Sequence, residues 1–174
     1  MNFYCISVWT GMEESYREQV QAVLDADDSP LRGRIHFLRK QMRLKNGKEY
    51  CEPFFPGYVF LETEETDAVK LRAVTAGKGF LRFLPSNKEV HPLTAEDKEI
   101  ISLILQFGTT IGIVPVRFDV GDRIVILSGP FKDRTGNVIA VNRRNKRINI
   151  QLDFLNSVRV IGLTYEEVKT AGIR

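Results

Sequence analysis

The sequence predicts an α+β sandwich, an antiparallel sheet with helices packed on it, followed by a small all-β barrel. Three observations predict it. Over the first 107 residues, runs rich in aromatic and β-branched residues alternate with stretches whose apolar residues recur on one helical face. From Gly121 onward the helical pattern stops, and short β runs follow one another at the close spacing of a small barrel. The charge changes in the same region: residues 1–116 hold 14 Lys or Arg against 16 Asp or Glu, net −2, whereas residues 117–174 hold 11 against 6, net +5. Two parts of opposite net charge should meet different partners.

Residues 3–9 (FYCISVW) form the opening strand, ended by Thr10-Gly11. Thr10 and Glu13 stand at capping-box spacing before a helix in which Tyr16, Val20, Val23 and Leu24 share a face, and residues 27–30 (DDSP) stop it. Residues 34–44 and a strand after Lys48 make a basic hairpin around Asn46-Gly47, the dipeptide suited to a two-residue turn. Residues 54–61 (FFPGYVFL) run through a Pro56-Gly57 turn into a short apolar strand. A short helix is predicted over 66–75 and a strand over 79–84. The last helix starts at Thr94, with Asp97 three residues on, and buries Ile100, Ile101, Ile104, Leu105 and Phe107 before Gly108 ends it. Residues 108–118 join the two parts, although Ile111, Ile113, Val114 and Val116 are apolar enough to pack on either neighbour. Barrel strands are expected over 123–127, 136–142, 148–152 and 158–163, with a final piece at 166–168.

Several function classes find no support. No apolar run approaches the ~20 residues needed to span a bilayer, and residues 1–9 lack the basic flank of a signal peptide, so a soluble cytoplasmic protein is expected. Cys5 and Cys51 lie outside any CxxC pattern and, with only His36 and His91, make a poor zinc set; no metal and no cofactor are expected. No carboxylates form an acid/base constellation, and Gly77-Lys78-Gly79 lacks the GxxxxGK[ST] pattern of a phosphate loop and reads as a turn. The chain is therefore not expected to be an enzyme.

Gly121-Asp122, the alternation over 123–127, Gly129-Pro130-Phe131, Gly136 and Val138 fit the arrangement GD-x-(I/V)-x-(I/V)-x-x-GPF-x(4)-G-x-V. This closely resembles the KOW motif of NusG-type factors and some ribosomal proteins. The opening FYCISVWTGMEE and the strand FPGYVF at 55–60 resemble the N-terminal (NGN) domain of the NusG family, and the segments 72–74, 79–81 and 92–94 continue in the family's order. The resemblance covers almost the whole chain, including a first domain that a ribosomal KOW protein would not carry. Within the family, the basic hairpin and the segment 142–148 (NRRNKRI) are most similar to the specialised long operon associated proteins, the LoaP branch.

The resemblance implies a transcription elongation and antitermination factor with an NGN domain at 1–107, a linker at 108–118 and a KOW (SH3-like) barrel at 119–174. It implies binding to the clamp helices of the largest RNA polymerase subunit through Phe55, Tyr58, Phe80 and Phe83, with Trp9 beside them. Lys70, Leu71 and Arg72 match a loop that reaches the opposing polymerase lobe, or form a solvated helix face. Lys40, Arg43, Lys45 and Lys48 on the hairpin are placed to meet nucleic-acid phosphate or polymerase, or serve solubility. In the barrel, Asn142, Arg143, Arg144, Lys146 and Arg147, with Lys132 and Arg134 as neighbours, are the candidate surface for a nascent RNA hairpin, and Phe154 is the candidate exposed aromatic for docking the ribosomal protein NusE or Rho. A monomer is expected. The alternative is a housekeeping NusG-like factor coupling polymerase to the ribosome or Rho.

Overall fold

The computed structural model describes residues 1–134 and 137–169. It is a mixed α+β structure that packs as two compact units, Met1–Leu38 with Phe55–Ile101, and Arg39–Phe54 with the chain from Ser102 onward.

The first unit is built on a four-stranded antiparallel sheet. Strand β1 (Asn2–Val8) sits inside it, between β5 (Tyr58–Thr63) and β6 (Phe80–Leu84), and β2 (Arg34–His36) pairs with the far side of β5. Both faces of β1 are buried, which explains why its sequence reads as a continuous apolar run. Helix α1 (Glu13–Asp25) buries Tyr16, Val20 and Leu24, one residue per turn, in a core with Tyr4, Ile6, Val8, Val59, Leu61 and Phe83. The segment predicted as one short helix is a single turn, α2 (Ala68–Leu71), capped by the Asp67 side chain, followed by a 3₁₀ turn at Arg72–Ala76. Helix α3 (Ala95–Leu105) begins as expected at Thr94, whose hydroxyl accepts the Asp97 amide at 3.2 Å.

The basic hairpin divides in two. Residues 34–36 join the first unit's sheet as β2, whereas β3 (Arg39–Arg43) pairs with β4 (Glu49–Pro53) with Arg43 opposite Glu49, so the loop has three residues, Lys45, Asn46 and Gly47, and not the expected two; Gly47 takes φ +85° as the left-handed residue that closes such a loop. β3 also pairs in parallel with β7 (Thr110–Ile111), and a second strand, β8 (Val114–Phe118), follows at once. Residues 108–118 are thus structured chain: Ile111, Val114 and Val116 are buried.

The barrel is a five-stranded sheet ordered β10-β11-β12-β8-β9, with β9 at Ile124–Ile126, β10 at Val138–Asn142, β11 at Arg147–Phe154 and β12 at Ser157–Glu167. The last two predicted runs are one strand. β11 and β12 meet at Leu155 and Asn156, both with positive φ, the geometry that matches a two-residue turn to strand twist. Gly136, expected to bend a barrel strand, lies outside the described residues. Among the described residues no helix is long and apolar enough to cross a membrane.

The Gly77-Lys78-Gly79 turn shows its own constraint. A Cβ on Gly77 would stand 2.5 Å from the Tyr16 ring and 2.6 Å from a Val20 methyl, so α1 packs directly against its backbone. Gly77→Ala should destabilise the protein by about 1–3 kcal/mol through overpacking, read as a fall in the denaturant midpoint; an unchanged midpoint would mean α1 can withdraw freely.

Candidate functional site

The register of the first sheet, Ser7 opposite Tyr58 and Val8 opposite Phe80, brings Trp9, Tyr58 and Phe80 to one end of it. Trp9 is 58% exposed and its amide donates to Gly79 O at 2.9 Å; Tyr58 and Phe80 are half-buried. Phe55 and Phe83 do not join them at the surface. Phe55, expected as an exposed anchor, is 3% exposed with its ring edge-on to Phe60, and Phe83 is a core residue paired across from Ile6.

Glu13 fixes this end of the sheet, and sequence reasoning saw it only as a capping residue. Its buried carboxylate accepts the Gly57 amide at 2.8 Å on one oxygen and the Gly11 amide at 2.7 Å on the other. Gly57 O in turn accepts the Val8 amide at 2.8 Å, and its φ of +80° sets it against Thr10. The Pro56-Gly57 turn is therefore tied to both the end of β1 and the start of α1. The spacing at Thr10 and Glu13 hinted at a cap, but Met12 holds the cap position and no side chain caps it.

Of the polymerase-loop candidates, Leu71 is fully buried in the core, which the short helix requires for its attachment. Lys70 and Arg72 are exposed, and Lys70 pairs with Glu65 at 3.0 Å. That hydrogen bond holds the Lys70 ammonium above its usual pKa.

In the second unit the structure brings together two turns that the sequence keeps far apart. The β3–β4 turn offers Lys45 and Lys48, and the β10–β11 turn offers Asn142, Arg143, Arg144 and Lys146, all exposed. Arg143 pairs with Asp122 at 2.9 Å and lies 4.0 Å over the Phe118 ring; Lys146 stands 4.0 Å from Glu167. Lys132 is exposed and Arg134 half-buried on the 129–134 turn, where Phe131 stacks on Phe54. Two expected nucleic-acid cations are engaged internally instead. Lys40 is 9% exposed and donates to Gly162 O at 2.6 Å; burial lowers its pKa, Glu52 opposes the fall and Arg147 adds to it. Arg147 is half-buried and donates to Arg43 O at 3.0 Å and to the Thr164 hydroxyl. Phe154, expected as an exposed docking aromatic, is 1% exposed, because it continues the inward alternation of Ile148, Ile150 and Leu152 along β11. Among the described residues no three His, Cys, Asp or Glu side chains are grouped to hold a metal.

Residues 1–103 match the family model described as "Transcription termination factor nusG", and residues 120–151 match the KOW motif model. A Staphylococcus epidermidis protein named "Transcription termination/antitermination protein NusG" is 24% identical over 134 residues, 75% of this chain and 72% of the relative. The protein of the same name from Streptococcus pyogenes serotype M1 is 31% identical over 120 residues, 67% of this chain and 65% of the relative. Among solved structures, one titled "Domain interaction in Thermotoga maritima NusG" superposes with a TM-score of 0.60 at 22% identity, covering 94% of this chain and 93% of that one. It supports the fold.

Two variants probe these placements. Glu13→Ala strips two backbone amides of their acceptor and should cost about 1–3 kcal/mol of stability, with Glu13→Gln costing less because one acceptor remains. Phe154→Ala should cost about 3–5 kcal/mol as a core truncation. Chemical denaturation measures both; a Phe154→Ala protein as stable as wild type would return that ring to the surface.

Proposed function

Because this chain belongs to the NusG family of transcription factors, we propose that it is an elongation and antitermination factor that holds RNA polymerase with one part and reads nascent RNA with the other. The part at 1–107 binds the clamp helices of the largest polymerase subunit, the barrel at 119–174 engages an RNA hairpin, and 108–118 connects them. The protein acts as a cytoplasmic monomer, suppressing pausing and termination on selected long operons as in the LoaP branch. It performs no catalysis.

The polymerase face proposed is the end of the first sheet, where Trp9, Tyr58 and Phe80 gather. Half-exposed aromatics on a rigid turn make efficient interface anchors, since little side-chain freedom is lost on binding. Phe55 and Glu13 act beneath them by holding the turn; the Tyr58 amide donates to Phe55 O at 3.1 Å. Lys70 and Arg72 are the exposed candidates for the opposing lobe.

The observation that carries the RNA half of the reading is the run of exposed cations on the β10–β11 turn. Duplex RNA is recognised by its shape through phosphate and 2′-hydroxyl contacts, work suited to Arg and Asn on a tight turn. The second reading, a housekeeping factor that couples polymerase to the ribosomal protein NusE or to Rho, is favoured by the names of the relatives, which cover both termination and antitermination. With Phe154 inside the barrel, that reading would use the exposed Ile139, Val158 and Val160 instead.

A reconstituted transcription assay separates the readings. Readthrough should rise only on templates whose leader encodes the recognised hairpin, and Trp9→Ala with Tyr58→Ala should abolish it by weakening polymerase binding roughly tenfold or more, as loss of anchor aromatics does. Equal stimulation on unrelated leaders would favour the housekeeping reading; full activity of the double variant would remove the sheet end as the polymerase face.

A further inference from the structure

Between the β3–β4 turn and the β10–β11 turn lie two adjoining cavities of about 500 and 360 Å³, which share Arg43, Leu44, Lys45 and Asn145 in their walls. Arg43, Lys45, Arg144, Lys146 and Arg147 contribute to the lining, and among the described residues no carboxylate does. Three of these five cations are already engaged. Arg43 pairs with Glu49 at 2.7 Å and Glu166 at 3.5 Å, Arg147 is held by the Arg43 carbonyl, and Lys146 stands 4.0 Å from Glu167. Lys45 and Arg144, one on each turn, are exposed and have no ion-pair partner among the described residues.

We propose that this cleft seats the sugar–phosphate backbone of a structured RNA, with Lys45 and Arg144 taking phosphates from its two walls. The proposal rests on the RNA reading above and adds that the hairpin of the first half of the chain supplies one side of the site.

The chemistry of the walls selects the ligand. A surplus of positive charge in a concave site concentrates anions there. Base stacking has no platform: Tyr165, the one aromatic residue of the lining, is 1% exposed, and its ring is taken by Phe118 at 6.0 Å and Lys146 at 5.7 Å. Recognition therefore falls on the backbone and not on splayed bases. Asn145, exposed in the wall common to both cavities, can exchange hydrogen bonds with a ribose 2′-hydroxyl, which DNA lacks.

The test uses the full chain and a labelled RNA hairpin of about 16 base pairs, long enough to present successive grooves, with affinity measured over a series of salt concentrations. Lys45→Ala and Arg144→Ala should each flatten the log–log salt slope by about 0.7–0.9 and weaken binding about 5- to 8-fold at 0.1 M salt. Lys48→Ala, on the same turn but outside both cavities, should leave the slope unchanged. A DNA hairpin of the same sequence should bind more weakly. If Arg144→Ala weakens binding and Lys45→Ala does not, the barrel alone binds RNA, and the cleft is overturned while the RNA reading stands. If Lys45→Ala and Lys48→Ala act alike, the attraction is diffuse and the cleft is again overturned. Equal affinity for DNA overturns the assignment to RNA. No effect from either cleft variant, with RNA still bound, overturns the cleft alone; no RNA binding by the wild type overturns both readings.

Discussion

One buried and one half-buried cation hold the hairpin and the barrel in one compact unit. A charged side chain taken out of water is costly unless hydrogen bonds replace its hydration, so Lys40 and Arg147 each demand acceptors wherever they are placed. Lys40 finds the Gly162 carbonyl of β12 at 2.6 Å and Glu52 at 3.9 Å. Arg147, at the start of β11, finds the Arg43 carbonyl of β3 at 3.0 Å together with the Thr164 hydroxyl and the Met42 sulfur. The demands run in opposite directions: a hairpin cation satisfied by the barrel, and a barrel cation satisfied by the hairpin. Hairpin and barrel thus specify each other's position through geometry that apolar packing alone would leave loose. The Arg43 backbone amide adds a further tie by donating to Thr164 at 3.2 Å.

This reciprocity explains what the sequence could and could not reveal. Local rules read the elements well. The hairpin reversed at Asn46-Gly47, although through a loop one residue longer than the dipeptide implied, Thr94 and Asp97 began the last helix, and the change to short β runs marked the barrel. What escaped were pairings between distant segments. Nothing around Lys40 announces that its partner lies 122 residues away, and nothing around Glu13 announces that its carboxylate serves the amide of Gly57, 44 residues on. A cation counted as surface and an acid counted as a cap are chemically ordinary residues, and only the tertiary fold decides which of their possible partners they meet.

The aromatics teach a different lesson. Phe154 stands two residues beyond Leu152 in a strand whose buried positions are Ile148, Ile150, Leu152 and Phe154, and period-two alternation already placed it inside. Phe83 is buried opposite Ile6 as well, but β6 gave no such signal, since Leu81, two residues before it, is exposed. Resemblance to a family suggested exposed roles for both, and for Phe154 the alternation in this chain's own strand opposed it. Where the two disagree, the local physical pattern is the better guide to burial, because packing acts on every side chain of a strand regardless of what relatives do with it. In the segment 108–118 the apolar Ile111, Val114 and Val116, expected to pack on a neighbour, are buried on two short strands, Ile111 on β7 beside β3 and the two valines on β8 beside β12.

On the proposed function, the two surfaces differ in how solvent acts on them, and that difference suits a division of labour. Aromatic anchors gain from removing apolar area from water, a contribution that salt does not screen. The cationic cleft gains from releasing counterions, a contribution that falls steeply as salt rises. A factor held to polymerase by the first would keep the second tethered near the emerging transcript, which raises the effective concentration of RNA it meets. Under that tether a cleft with two free cations needs no great intrinsic affinity to be occupied by the right hairpin. The same weakness prevents stable capture of the many RNAs met in free solution. On this proposal selectivity for one operon would arise from coincidence, a modest RNA contact that counts only while the polymerase contact is made, and the engagement of the other three cations within the protein would keep that RNA contact modest.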